Sequence, residues 1–229
     1  KRTVTVTEEQ LKGRAVLHFG AVDYCAKVFM NGELAGTHKG GYVSFEFDVT
    51  ALLKAGENEI AVYAEDNTRD RLIPSGIQSE QYNSYGCFYT RTTGIWQTVW
   101  LEFTPKAYIS RVQYYPNITA GTVTVTAELV GTANLTATAS YEGKEMGSYT
   151  AETACGTHTI KLSEKHLWDV GCGNLYDVAF AFGEDNVTGY FGLREVRLDG
   201  HKFRINGRSV FQRLVLDQGF YPDGIYTAP

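Results

Sequence analysis

The chain of 229 residues carries 21 Lys and Arg against 26 Asp and Glu, a formal charge of −5, and 43% of its residues are hydrophobic. The basic residues are dispersed, which argues against the clustered cationic surface that nucleic acid or an anionic membrane requires. No apolar run approaches the ~18 residues of a membrane span, and the opening "KRTVTVTEEQ" lacks the apolar core of a signal peptide. A soluble, cytoplasmic chain of two β domains is the expectation.

In chain order the pattern is strand after strand. "AKVFMNGELAG" holds two short runs around Asn31-Gly32, a dipeptide whose tolerance of positive φ suits a tight hairpin. "VSFEFDV" alternates, with Phe45, Phe47 and Val49 on one face. "TALLKAGENE" reads as one helical turn, capped by Asp48 or Thr50 and stopped near Gly56, and "EIAVYAE" returns to strand. Residues 67–93 are polar, rich in Gly, Ser, Asn and Tyr, and without a period; a connection of that length is usually functional or disordered. "CFYTRTTGIWQTVWLE" then passes from loop to strand, with Ile95, Gln97 and Val99 on one side and Trp96, Thr98 and Trp100 on the other.

Past "LEFTPKAYISRVQYYPN" the texture changes to short Thr, Ala and Val strands: "TVTVTAELV", "NLTATASYEG", "GTHTIKLS" and "LYDVAFAFG". Their spacing predicts an immunoglobulin-like sandwich, which sets one domain boundary near Pro105 and another near Gly200. From there "FRINGRSVFQRLVLDQGFYPDG" begins with a hairpin at Asn206-Gly207 and continues as an apolar strand.

Neither the four cysteines nor the five histidines stand at metal-ligand spacing, so no metal and no cofactor is expected. Buried free thiols are the expectation for Cys25, Cys87, Cys155 and Cys172, with a Cys155–Cys172 hairpin disulfide the alternative. The sequons at Asn117, Asn134 and Asn186 matter only to a secreted eukaryotic protein.

Three of these stretches carry a family resemblance. "LHFGAVDYCAKVFMNGELAGTHKGGYVSFEFDVTALLKAGENEIAVYAED" resembles the sugar-binding jelly roll of family 2 glycoside hydrolases, the β-galactosidase and β-glucuronidase group, and "YTRTTGIWQTVWLE" is similar to that domain's closing strand. "YFGLREVRLDGHKFRINGRSVFQRLVLDQGFYPDG" resembles the passage from the family's immunoglobulin-like domain into its catalytic barrel. Two details depart from the family pattern: Leu214 stands where Gly is usual, and "DVGCGN" replaces the prolines common between Leu167-Trp168 and Leu175-Tyr176.

The resemblance implies an all-β fold. A jelly-roll, galactose-binding-like sandwich over residues 1–104, truncated at its start, is followed by an immunoglobulin-like β-sandwich over 105–199. Residues 200–229 are then the first strand and entry of a truncated (β/α)8 barrel, and the chain reads as an internal piece of a longer enzyme. Retaining glycosidases need two carboxyl groups about 5 Å apart, and in this family both are glutamates at the C-terminal ends of barrel strands, where such folds place their active sites. The family's acid/base follows an Asn, and the single Asn-Glu here, Asn58-Glu59, enters a jelly-roll strand. No catalytic residue is therefore expected.

By the same resemblance the loop before the closing strand leans toward the barrel mouth. Tyr89 and Arg91 are the candidates to supply a stacking face and a forked donor for sugar hydroxyls, with Asp217 and Gln218 at the end of the would-be barrel strand. The bland alternatives are an Arg91 ion pair with a local carboxylate, core or domain-interface roles for Tyr89, Ile95 and Trp96, and a capping or inter-domain hydrogen bond for Asp217 and Gln218. Two functions are open: a non-catalytic part of a family 2 glycosidase that edges and scaffolds a sugar site, or a stand-alone carbohydrate-binding module. The partners expected are a carbohydrate, the catalytic barrel of the same chain, and a second copy reached through a free sheet edge and exposed Phe203, Ile205, Val210, Phe211, Leu214 and Val215; nucleic acid and membrane are not.

Overall fold

The computed structural model describes residues 1–151, 156–221 and 225–228. The chain divides into two compact units, Lys1–Thr104 with Leu216–Pro229 and Pro105–Val215. Both are built almost wholly of antiparallel strands. Among the described residues no helix is long and apolar enough to cross a membrane.

The first unit is a sandwich. One sheet has the order β1 (Arg2–Val6), β7 (Gly56–Glu65), β4 (Cys25–Met30), β5 (Glu33–Lys39); the other runs β6 (Phe45–Asp48), β2 (Arg14–Phe19), β9 (Val99–Thr104). A short pair, β3 (Val22–Asp23) with β8 (Gly94–Ile95), completes it. Alternation along β2 and β4 sends Leu17, Phe19, Ala26, Val28 and Met30 into the core with Val22, Val49 and Ile60. The β4–β5 turn has Asn31 at φ 53° and Gly32 at φ 85°, the doubly positive φ that a two-residue hairpin needs. The Asn31 side chain anchors that turn: its amide donates to Leu52 O and Asn58 Oδ1, both at 2.8 Å, and its Oδ1 accepts from Glu59 N at 2.9 Å. The predicted helical turn is a single 3-10 turn, Thr50–Leu52, with Asp48 Oδ1 accepting from both Thr50 N and Thr50 Oγ1.

The expected continuous alternation from Ile95 to Trp100 is interrupted. Gly20 N donates to Thr98 O at 2.8 Å and Trp96 N to Ala21 O at 3.4 Å, so the chain steps from β8 to β9 between two different partner strands. A Cβ on Gly20 would lie 2.6 Å from Gln97 Cβ, so this close passage needs glycine. Trp96 and Trp100 consequently do different things: Trp96 is half-buried with Nε1 donating to Gly41 O at 2.7 Å, while Trp100 is exposed and stacks on His18 with centroids 4.7 Å apart.

The second unit packs the sheet β10 (Tyr108–Asn117), β11 (Thr122–Val130), β14 (Gly156–Lys161) on the sheet β13 (Lys144–Ala151), β12 (Leu135–Tyr141), β15 (Tyr176–Phe182), β16 (Asp185–Phe191). Val123, Val125, Leu135, Ile160, Tyr176, Phe182 and Leu193 are fully enclosed between them. Thr pairs directly across the ladders, Thr124–Thr159 and Thr126–Thr157, bond on the outer faces at 3.0 and 3.1 Å.

A three-stranded ribbon follows: β17 (Val196–Asp199), β18 (Lys202–Ile205) and β19 (Arg208–Ser209), turning at Asn206-Gly207 with φ 50° and 76°. Two expectations need correction here. Ile205, on β18, is buried, and Phe203 and Val210, joined by a Val210 N to Phe203 O bond of 2.8 Å, are half-buried. The apolar strand expected after the hairpin is not one: among the described residues 210–220 have no ladder partner, and Phe211, Leu214, Val215 and Leu216 are exposed. Of the cysteines, Cys25 is half-buried, whereas Cys87 and Cys172 are exposed rather than buried. Cys155, and with it the disulfide alternative, lies outside the described residues.

Candidate functional site

The polar segment 67–93 is organised around one buried side chain, Gln78. Its Nε2 donates to Asp23 Oδ2 at 2.8 Å and to the Tyr42 hydroxyl at 2.9 Å, and its Oε1 accepts from Thr92 N at 2.7 Å. Tyr42 in turn donates to Ser75 O at 2.9 Å. One amide therefore joins β3, the turn after β5 and the C-terminal end of the loop, using its full hydrogen-bonding capacity bar one lone pair. Backbone bonds add to this: Ser79 N donates to Tyr89 O at 2.7 Å and Tyr89 N to Ile77 O at 2.8 Å. A segment with almost no apolar side chains inside it is thus held by buried and half-buried polar contacts, where each bond is stronger than in water and its loss costly.

The electrostatics follow from that burial. Desolvation pushes the Asp23 carboxyl above its usual range, against the opposing hydrogen bond from Gln78, and nearby Asp66 pushes the same way. The Tyr42 phenol is pushed up to about 12, chiefly by burial. Asp23 Oδ1 has no hydrogen-bond partner among the described residues, and a Cβ on Gly41 would lie 2.2 Å from it.

The four residues expected to touch sugar are placed in two separate surroundings within the first unit. Arg91 lines a polar hollow of about 540 Å³ with Asp66, Thr68, Tyr82, Thr90 and Thr93. Its Nη1 donates to Thr68 Oγ1 at 3.1 Å, and its guanidinium lies 5.9 Å from the Tyr82 ring centroid. The alternative of an ion pair with a local carboxylate is not realised among the described residues. Asp217 and Gln218 are exposed and line a second hollow of about 340 Å³ with Gly219, Tyr221, Tyr226 and Ala228; Asp217 Oδ1 accepts from Gly219 N at 2.8 Å. That bond is the local turn contact that the capping alternative anticipates.

Tyr89 links the two surroundings. Its ring stacks on Phe220 at 5.4 Å and 20°, Phe220 meets Tyr226 edge-on at 5.8 Å, and Tyr226 meets Tyr42 at 5.9 Å and Trp96 at 6.2 Å. Gln97 Nε2 donates to Thr227 Oγ1 at 2.8 Å beside this cluster. The segment around Phe220 and Tyr226 is thereby tied to the loop by aromatic faces.

Sequence reasoning missed Asp23, Tyr42, Gln78, Asp66 and Tyr82. Asp66 had a faint signal, as the first residue after the alternating run "EIAVYAE". Gln78 had none, because its importance comes from three partners distant in sequence. Glu59 is exposed and paired with Lys1 at 3.0 Å, while Asn58 is buried in the hairpin network, where its amide donates to Lys54 O and Gly56 O. No group of three or more His, Cys, Asp or Glu is placed to hold a metal among the described residues.

Comparison with known proteins gives this geometry its context. Residues 1–105 match the family described as glycosyl hydrolases family 2, sugar binding domain. A β-galactosidase of Thermoanaerobacter pseudethanolicus is 32% identical over 221 residues, 87% of this chain and 29% of that protein. A putative β-glucuronidase of Formosa agariphila is 28% identical over 214 residues, 86% of this chain and 25% of that protein. The solved β-glucuronidase of Faecalibacterium prausnitzii aligns with a TM-score of 0.74 and 29% identity, covering 92% of this chain and 39% of the other. The chain thus spans well under half the length of the proteins it matches. Residues 1–105 thus carry the sugar-binding domain of glycosyl hydrolase family 2, and the chain as a whole is similar in sequence and fold to that family's β-galactosidases and β-glucuronidases.

Proposed function

We propose that this chain is a non-catalytic part of a family 2 glycoside hydrolase, a β-galactosidase- or β-glucuronidase-like enzyme that cleaves O-glycosidic bonds with retention. In that enzyme its β-sandwiches scaffold a catalytic barrel of the same polypeptide, and its first unit edges the sugar site through Tyr89, Arg91, Asp217 and Gln218. The observation that carries the reading is the Tyr89–Phe220 stack, which brings the loop bearing Arg91 and the segment bearing Asp217 and Gln218 into one unit. The relatives' names, β-galactosidase and β-glucuronidase, supply the reaction class.

Chemically, the chain's part is recognition. Arg91 offers guanidinium donors that are unused among the described residues, and Asp217 an acceptor, to hydroxyls of a sugar whose cleavage is carried out by carboxylates supplied elsewhere. The test is kinetic, in the enzyme that contains this chain: Arg91→Ala and Asp217→Ala should each lower kcat/KM for a nitrophenyl β-glycoside at least about tenfold, as loss of one charge-assisted bond does. Wild-type values in both variants would defeat the assignment. Micromolar, glycan-specific binding by the chain alone would favour the stand-alone module.

A further inference from the structure

We infer that the hollow formed by Asp66, Thr68, Tyr82, Thr90, Arg91 and Thr93 is a subsite of its own for a neutral pyranose, and that it discriminates against uronic acids. The inference rests on the reading that the first unit contacts sugar, and it adds the chemical class that this part of the surface selects.

The hollow, about 540 Å³, falls in the size range of small-molecule sites. Its two charged groups face it without neutralising each other. Arg91 is half-buried and spends one donor on Thr68, leaving the rest of its fork free among the described residues. Asp66 is half-buried as well and accepts a single long bond, from Thr93 Oγ1 at 3.4 Å; among the described residues neither it nor Arg91 is in an ion pair. Thr68, Thr90 and Thr93 share the lining with them, as does Tyr82, which is 88% exposed.

A set with one fixed donor fork, one acceptor-only carboxylate and three groups that both donate and accept matches vicinal sugar hydroxyls, each of which also donates and accepts. The Tyr82 ring supplies the apolar surface on which a pyranose face lies. Free phosphate or a simple carboxylate fits less well, because Asp66 stands in the same hollow as Arg91. The two are close enough for Arg91 to pull the Asp66 carboxyl down, although burial, the larger effect, leaves it raised. A ligand carboxylate brought to Arg91 therefore meets Asp66 at short range, in surroundings drier than bulk water where like charges repel strongly. A hydroxymethyl group at the same position meets no such repulsion.

The experiment compares two ligands that differ only at C6, methyl β-galactopyranoside and methyl β-galactopyranosiduronate, titrated into the isotope-labelled chain and followed by backbone amide shifts. The neutral sugar is expected to bind with a millimolar Kd, to move amides of residues 66–68, 82 and 90–93, and to bind about tenfold tighter than the uronate at pH 7. Asp66→Asn keeps the shape, and it should abolish or reverse that preference; Arg91→Ala should weaken both ligands. If Asp66→Asn does not fold by thermal melt, Thr68→Val serves in its place, with loss of neutral-sugar binding as the expected result. Equal or tighter binding of the uronate to the wild-type chain overturns the inference, as does the absence of shifts at these residues. If the shifts are absent while Arg91→Ala still impairs the full enzyme, the subsite falls and the proposed function stands. If the shifts appear while Arg91→Ala and Asp217→Ala both leave the enzyme unimpaired, the subsite stands and the assignment of these residues to the edge of the catalytic sugar site falls.

Discussion

Gln78 and Asp23, 55 positions apart in the chain, meet at 2.8 Å inside the first unit, where the amide donates to one carboxylate oxygen while the other, beneath Gly41, has no hydrogen-bond partner among the described residues. That pairing is what orders the loop carrying Arg91, because the same amide also accepts from the backbone of Thr92. Gln78→Leu removes the partner of a buried carboxylate and of a backbone N–H together. It should destabilise the first unit by about 2–3 kcal/mol, measured by urea unfolding, and broaden the amide signals of residues 75–93. Unchanged stability would show that the network contributes nothing.

The raised Asp23 carboxyl has a signed consequence for pH. A carboxyl whose folded pKa lies above its unfolded value, about 3.9, contributes stability that is fully present below that value and lost as pH rises through the folded pKa. Asp23→Asn does not titrate at this position. The variant should therefore gain stability relative to wild type as pH rises from 4 to 7, and a difference that stays flat over that window contradicts the assignment.

Gly41→Ala tests the close approach directly. With a Cβ 2.2 Å from Asp23 Oδ1, something must shift, and the neighbour is a side chain already fixed by Gln78. A loss of about 1–3 kcal/mol is expected at buried Gly41, against a small effect for Ser44→Ala at an exposed position three residues on. Equal, small effects for both would mean the carboxylate yields freely.

In the second unit Tyr176 is fully buried, and its hydroxyl donates to Glu164 O and accepts from His166 N, both at 2.8 Å. Tyr176→Phe keeps the ring stacked on Phe191 but leaves two backbone groups unpaired. A thermal melt should show a destabilisation of about 1–3 kcal/mol.

Exposed Phe211, Leu214, Val215 and Leu216, at 87%, 79%, 90% and 86%, form an apolar run without ladder partners among the described residues. Such a run invites association, and the chain alone is expected to self-associate, most simply as a two-fold dimer. Light scattering over a concentration series should show a rising mass that Leu214→Glu with Leu216→Glu abolishes. A constant monomer mass for the unmodified chain would count against it.

The sequence by itself determined the strand pattern, the hairpins at Asn31-Gly32 and Asn206-Gly207 and the sandwich class, because period-two alternation and positive-φ dipeptides are local signals readable from neighbours in the chain. The family, too, was legible in three ordered stretches. Tertiary structure alone decided the rest. Whether Ile95 and Trp100 share one strand depended on Gly20 passing close to Gln97, and whether Tyr89 faces solvent depended on Phe220, 131 positions later. Arg91 and Asp66 stand 25 positions apart, and their shared hollow exists because Gln78, itself buried by Asp23 and Tyr42, folds a polar loop back on its own strand. Polar networks of this kind leave no periodic trace, since each bond joins residues whose only relation is proximity in the folded chain.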